Sequence, residues 1–461
     1  MQPFYSHIPT LSRRRLLQIG GVALAGFDLL PMSRPLNAST KEKVSPRGTA
    51  EYCVFVFLQG GASHVDSFDL KEGKWTPEDF EVRSVTPELR FPTGLFPKLT
   101  QKINQFAIVR SLEAWETEHG RATYYLHVAH QVSPARVREI PSLGALIAYE
   151  FHASRKPTDF LPPFISMNYG PEQVKEGMLD SKFSPLNFDT KSSDWSFVVP
   201  EPERGRFNRR LGYLNQMSSL APGAITPDAH TLRALGSFQA DALTMMNSDK
   251  IPGVLKIGEE DRKRYGGTEF GNACILARNA LAAESGTRFI SINHKGWDLH
   301  TKIYDKNEKS NHYTLSRDLD GGLSELLTDL GNTKSGDGRT LLDKTLVVVM
   351  GEFGRTPGAL TPGRGRDHHR FAMSGLFAGG GVKGGRVLGA TDSEGAQVTK
   401  APWSKKRSMY PEDVAATIYS ALGIDWTKEI KITPSGRVFE YIEFQSGTNF
   451  LGVDEISELF T

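Results

Sequence analysis

Tyr52-Cys53-Val54-Phe55-Val56-Phe57-Leu58 runs straight into Gln59-Gly60-Gly61-Ala62-Ser63-His64-Val65-Asp66. An unbroken apolar run of strand length, rich in β-branched and aromatic residues, reads as a strand buried on both faces. The glycines that follow end it and let the chain turn. The same grammar returns twice. Arg288–Ile292 leads into Asn293-His294-Lys295-Gly296, and Thr345–Met350 leads into Gly351-Glu352. Helical patterns alternate with these runs. Asn272–Ala283 carries Ala273, Leu276, Ala277, Ala280 and Leu281, while Leu319, Leu323, Leu326, Leu327 and Leu330 share one helix face. Pro411-Glu412-Asp413 opens a third helix, Val414 to Leu422, with Gly423 just past its end. Alternating strands and helices predict an α/β fold in three layers, a mostly parallel sheet with helices on both faces.

The ends of the chain read differently. Ser12-Arg13-Arg14-Arg15-Leu16-Leu17-Gln18 precedes an apolar stretch, Ile19 to Leu30, that is too short to span a bilayer and is interrupted by Asp28. A basic segment with paired arginines before a short apolar core predicts a twin-arginine export signal over 1–38, with the twin-arginine translocase as its partner and the cell envelope or periplasm as destination. A Ser/Thr/Lys/Pro-rich linker, 39–50, precedes a single α/β domain over 51–445, and 446–461 form a C-terminal tail. Within the domain, about 156–228 is Pro-, Asn-, Asp- and Ser-rich and is expected to form a loop-rich excursion over the sheet. No apolar run after the signal is long enough for a membrane span. The 461 residues carry a net charge of +2 and no basic stripe, which excludes the usual electrostatic footprint of a nucleic-acid binder. The two cysteines, Cys53 and Cys274, fall in apolar patterns and read as small buried hydrophobes. Gly379-Gly380-Gly381 lacks the Lys-Ser/Thr of a phosphate loop and reads as a turn between edge strands.

In open α/β sheets ligands bind beyond the carboxyl ends of the strands. Those ends are where this chain places its acids and imidazoles: Ser63-His64-Val65-Asp66 after the first run, Gly296-Trp297-Asp298-Leu299-His300 after the second, and Glu352-Phe353-Gly354-Arg355 with Gly365-Arg366-Asp367-His368-His369 after the third. Nine of the twelve histidines lie in or near these segments or in 119–130. Mixed carboxylates and imidazoles suit a divalent ion such as zinc or manganese. Asp298 and His300, two apart, face one side of an extended segment.

These segments together resemble domain-of-unknown-function family 1501. The resemblance is carried by Leu58–Asp69, Gly296–His300, Gly351–Pro357 and Gly365–His368. Arg264-Tyr265-Gly266 with Phe270-Gly271, and Ala378–Gly381 followed by the Asp413–Gly423 helix, extend it. That family consists largely of twin-arginine-exported bacterial proteins and is grouped by fold with the alkaline phosphatase and sulfatase superfamily. The resemblance implies a metal-assisted hydrolase of phosphate, sulfate or related esters. Its substrate would be a small anionic ester or a sulfated or phosphorylated glycan, and its cofactor a divalent ion, zinc, manganese or calcium. It implies metal ligation by Asp66, Asp298, His300, Glu352 and His368. It also places His119 and Arg121 in the pocket, with Thr123 as candidate nucleophile, and pairs Arg355 or Arg121 with the substrate oxyanion. Two departures stand against this. Phe353 occupies a position where the superfamily has a histidine, and Glu116–Leu126 carries none of the Cys/Ser-x-Pro-x-Arg signature from which sulfatases make their nucleophile. A catalytically degenerate protein that binds an anionic ligand or an envelope partner is the alternative.

Overall fold

The three apolar runs lie side by side at the centre of an eight-stranded sheet. In the computed structural model, which describes residues 44–191, 201–220, 243–443 and 452–461, its strands are β1 (Tyr52–Gln59), β2 (Phe106–Leu112), β3 (Phe164–Met167), β4 (Leu186–Phe188), β5 (Phe289–Lys295), β6 (Thr345–Met350), β7 (Met373–Ala378) and β8 (Arg386–Leu388). Their order across the sheet is β8-β2-β7-β6-β1-β5-β3-β4. β1 pairs in parallel with β5 (Cys53 opposite Phe289) and with β6 (Tyr52 opposite Thr345). β7 alone runs against its neighbours, β6 and β2. The carboxyl ends of the other strands therefore open onto one edge.

Both faces of the sheet are covered, which is why its central strands are apolar without alternation. Cys53, Phe55 and Phe57 of β1 pack into one core with α1 (His119–Val128), α2 (Leu143–Phe151) and, further along the chain, α5 (Pro411–Ala421). Val54, Val56 and Leu58 pack into the other, against α3 (Glu269–Ala282) and α4 (His312–Asn332). Each fully buried aliphatic or phenyl side chain contributes about 1.5–3 kcal/mol relative to exposure. The α4 helix buries the leucines of its predicted face, Leu319 to Leu330, and is capped by Asn311, whose side chain accepts from Thr314 N.

Some expectations are corrected and others hold. The 156–228 stretch is not merely an excursion, since β3 and β4 within it join the sheet. Phe164–Met167 is fully buried and pairs with β5, because a four-residue run, apolar except for Ser166, suffices at that position. The glycine-rich connection after β7 leads to β8, which pairs with β2 at the sheet margin. Both cysteines are buried and free. The linker's last residues lie against α5, where Gly48 N donates to the Ser420 carbonyl. Of the C-terminal segment, Val453, Ile456 and Leu459 are packed into the α5-side core. No helix among the described residues is long and apolar enough to cross a membrane. The export signal lies outside the described residues, as do residues 39–43 of the linker.

Candidate metal centre

Four side chains from three separate segments meet at the carboxyl edge of the sheet. His119 is the first residue of α1, Asp298 and His300 lie in the loop after β5, and His368 sits on a two-residue antiparallel bridge with Gly354–Arg355. One ligand atom from each lies within 4.8 Å of all the others. Asp298 Oδ1 is the hub, at 3.1 Å from His119 Nε2, 2.9 Å from His300 Nε2 and 3.4 Å from His368 Nε2. His300 Nε2 and His368 Nε2 are 3.0 Å apart.

What faces the centre follows from what holds each ring from behind. His119 donates from Nδ1 to Glu352 Oε1 at 2.7 Å, His300 from Nδ1 to Asp367 Oδ1 at 2.8 Å, and His368 from Nδ1 to the Thr117 carbonyl at 2.6 Å. All three partners are acceptors, so each Nδ1 carries a proton and each ring turns its Nε2 inward, where it is a bare ligand atom whenever the ring is neutral. Carboxylate or carbonyl contacts of this kind orient metal-ligating histidines. His119 Nε2 is buried and makes no hydrogen bond, even to the nearby Asp298. Lone pairs this close repel unless protons or a cation stand between them. Separations near 3.3 Å are the edges of a tetrahedral site with metal–ligand bonds of about 2.0–2.1 Å. Three imidazoles and one carboxylate therefore fit a zinc-like ion.

Electrostatics set the hub. Burial alone would raise the Asp298 carboxyl, but Arg355, whose guanidinium donates to Oδ1 at 2.6 Å, and the nearby His119 and His300 hold it down to about 2. The hydrogen bond to Glu352 raises His119, while burial and Arg355 lower His368. Two glycines shape the floor. Gly60 has φ +108°, and a Cβ there would stand 2.4 Å from Asp298 N; Gly61 has φ +67°, and its Cβ would strike the Phe353 ring. Both donate backbone N–H to Glu352, at 3.0 Å each. Phe353 lies against the rings of His119 and His368, with centroids 4.9 and 4.5 Å away.

The implied ligands thus separate. Asp298, His300 and His368 come together, joined by His119, which was expected only in the pocket. Glu352 stands behind His119, its carboxylate occupied by two amides and an imidazole. Asp66 is elsewhere. It is 1% exposed, and its oxygens take Arg366 Nε (2.6 Å) and Nη2 (2.9 Å), Ser63 Oγ (2.6 Å) and Tyr304 OH (2.6 Å). With Arg366 as counter-charge, it has no free oxygen for an ion. Arg355 is also not poised for substrate. It is 1% exposed, and its guanidinium is spent on Asp298 and on the carbonyls of Gly60, Gly61 and Arg366. Arg121 is exposed, with Nε 3.2 Å from Glu116. Thr123, one turn beyond His119, lines the adjacent cleft. Two supports went unassigned in the sequence, Asp367 and the Thr117 carbonyl. Asp367 was visible in the Gly365–His369 segment, whereas a backbone carbonyl leaves no sequence signal.

Comparison with solved structures finds low-identity likeness. A protein in the alkaline phosphatase superfamily from Vibrio parahaemolyticus is 10% identical, with 90% of this chain and 76% of that chain covered and a TM-score of 0.38. The phosphonate monoester hydrolase of Agrobacterium radiobacter is 12% identical, covering 82% and 74%, TM-score 0.36. The C-terminal periplasmic domain of EcEptC from Escherichia coli, in complex with Zn, is 11% identical, covering 89% and 97%, TM-score 0.34. No curated protein matches the chain. A family model, described as protein of unknown function (DUF1501), matches residues 50–447, and the chain belongs to that family.

Proposed function

We propose that this chain is a metal-dependent hydrolase of phosphate, sulfate or related esters, exported to the cell envelope by the twin-arginine translocase. The observation that carries the hydrolase reading is the convergence of three outward-anchored imidazoles and Asp298 beside an open cleft. His119, Asp298, His300 and His368 would hold the ion. Three nitrogen donors favour zinc and disfavour calcium, which takes six to eight oxygens. When bound, such an ion polarises an ester oxygen and lowers the pKa of water. The chain's own residues prepare that place. Arg355 keeps Asp298 ionised and fixed, Glu352 and Asp367 aim the rings, and Phe353 shields one side from water. Thr123 is the candidate nucleophile, and its hydroxyl would need a base to act.

The alternative of a protein that binds an envelope partner, rather than an anionic ligand, has an observation in its favour. Arg355 is locked to carbonyls and Asp298, and Arg121 pairs with Glu116, so neither guanidinium is free for an oxyanion. One experiment separates the two. Purified protein is analysed for metal, then assayed on aryl phosphate, phosphonate and sulfate esters beside the double variant Asp298→Ala, His300→Ala. The hydrolase reading expects zinc near one per chain and turnover lost in the variant. Bound metal without turnover of any ester favours the binding protein, and no metal defeats both the centre and the hydrolase. Export rests on Arg13-Arg14; replacing both by Lys should leave precursor in the cytoplasm, and normal export of that variant would refute it.

A further inference from the structure

The cleft beside the metal ligands has a volume of about 330 Å³ and includes His119 and Thr123 in its wall. The rest of its lining is unlike an anion site. Phe57, Tyr124, Tyr169, Val132 and Val174 give it an apolar body, and Gln59 and Asn293 add an amide edge on which Asn293 Nδ2 donates to Gln59 Oε1 at 2.8 Å. Besides His119, two lining residues keep a buried polar atom without a partner, Asn293 Oδ1 and Tyr124 OH. The charged groups there are Glu118, Glu172 and Arg121; no lysine among the described residues lines the cleft. Arg121 Nε lies 3.2 Å from Glu116 and 4.0 Å from Glu118, so its charge is matched before any ligand arrives. His127, held by the Thr123 carbonyl and Tyr169, is kept neutral by burial. The cleft is therefore acidic on balance.

We propose that this cleft seats the alcohol or phenol portion of the ester, and that this portion is uncharged and largely apolar with one or two hydrogen-bonding groups. The proposal rests on the hydrolase reading, and it argues against a sulfated or phosphorylated glycan, whose further anions would meet Glu118 and Glu172 at the cleft rim.

The test uses the zinc-loaded full chain with phenyl phosphate and 4-carboxyphenyl phosphate. The carboxylated ester should have a KM about tenfold higher at similar kcat, and Glu172→Lys, at an exposed rim position, should reduce that gap to about threefold or less. An equal or lower KM for the carboxylated ester overturns the cleft assignment and leaves the hydrolase reading standing. So does a gap that ignores Glu172→Lys. If neither ester is hydrolysed, the hydrolase reading is left to the phosphonate and sulfate esters, and calorimetry with 4-methylphenol and 4-hydroxybenzoate decides the cleft. Preference for the neutral phenol by about tenfold supports it. Equal affinity, the reverse order or no binding overturns it.

Discussion

Stripping the ion should destabilise the fold by an amount the site geometry allows to be worked out. Without a cation, His300 Nε2 and His368 Nε2 face each other at 3.0 Å, and Asp298 Oδ1 faces three such nitrogens. The unfolded chain does not preserve that geometry, so the ion binds the native state and stabilises it by RT ln(1 + [L]/Kd). That is about 2.7 kcal/mol at a hundredfold excess over Kd and about 4.1 kcal/mol at a thousandfold. The compact unit Val44–Thr461 is about 420 residues long. At about 2.1 cal/mol/K per residue its unfolding entropy is about 0.9 kcal/mol/K, so the expected rise in Tm is about 3 to 5 °C. The assay is thermal unfolding after chelation, repeated with zinc, manganese and calcium, in which zinc should give the largest rise and calcium none. His300→Ala is the cleaner control, because its ring is half-exposed and its loss removes one ligand. Asp298→Ala would also leave buried Arg355 without its carboxylate and lower the metal-free stability. A wild-type Tm that moves by less than about 1 °C on adding zinc to the stripped protein would refute the argument.

Further outcomes follow from the residues around the centre. Glu352→Gln keeps the shape but weakens the anchor of His119, and zinc affinity measured by chelator competition should fall about 10- to 100-fold; unchanged affinity would show that Glu352 does not set the ring. Arg366→Ala leaves Asp66 buried and uncompensated, which should cost about 3–5 kcal/mol in urea unfolding. Asp66→Asn, retaining the hydrogen-bonding shape, should leave zinc affinity within about twofold, because Asp66 is not a ligand. Glu412, buried under α1 where it accepts from Tyr125 OH and Trp115 Nε1, is pushed up by burial to about 7 from its ordinary 4.5. The folded state then binds the extra proton between these values, so stability should fall as pH rises from about 4.5 to about 7, by about 3 kcal/mol, and flatten above. Glu412→Gln should remove that slope, seen by unfolding at pH 5 and pH 7.5; an identical slope in the variant would assign it to another group.

The sheet's centre was legible because β1, β5 and β6 are buried on both sides and so need no polar alternation. The remaining strands were hidden for separate physical reasons. β7 carries Ser374 and Gly375 in a buried run, β2 ends in Arg110-Ser111-Leu112, and β3 is four residues long behind Pro162-Pro163. Missing β2 had a consequence for the site. β2 points the same way as β1, so the loop after it delivers His119, at the start of α1, to the edge that receives Asp298, His300 and His368. Residue patterns alone do not put a helix-start histidine among the ligands until its preceding strand is known, and the family resemblance had put His119 only in the pocket. The carboxylates show a different limit. Asp66, Asp298 and Glu352 all follow buried strands and look alike in sequence, yet each meets a different counter-charge: Arg366 for Asp66, two amide N–H groups and His119 for Glu352, Arg355 for Asp298. Only Asp298 faces three inward-turned Nε2 atoms, through the same Oδ1 that accepts from Arg355. A cation that satisfied the cluster would therefore have one place to go, and long-range pairing between strand ends, rather than any local motif, decides which acid would receive it.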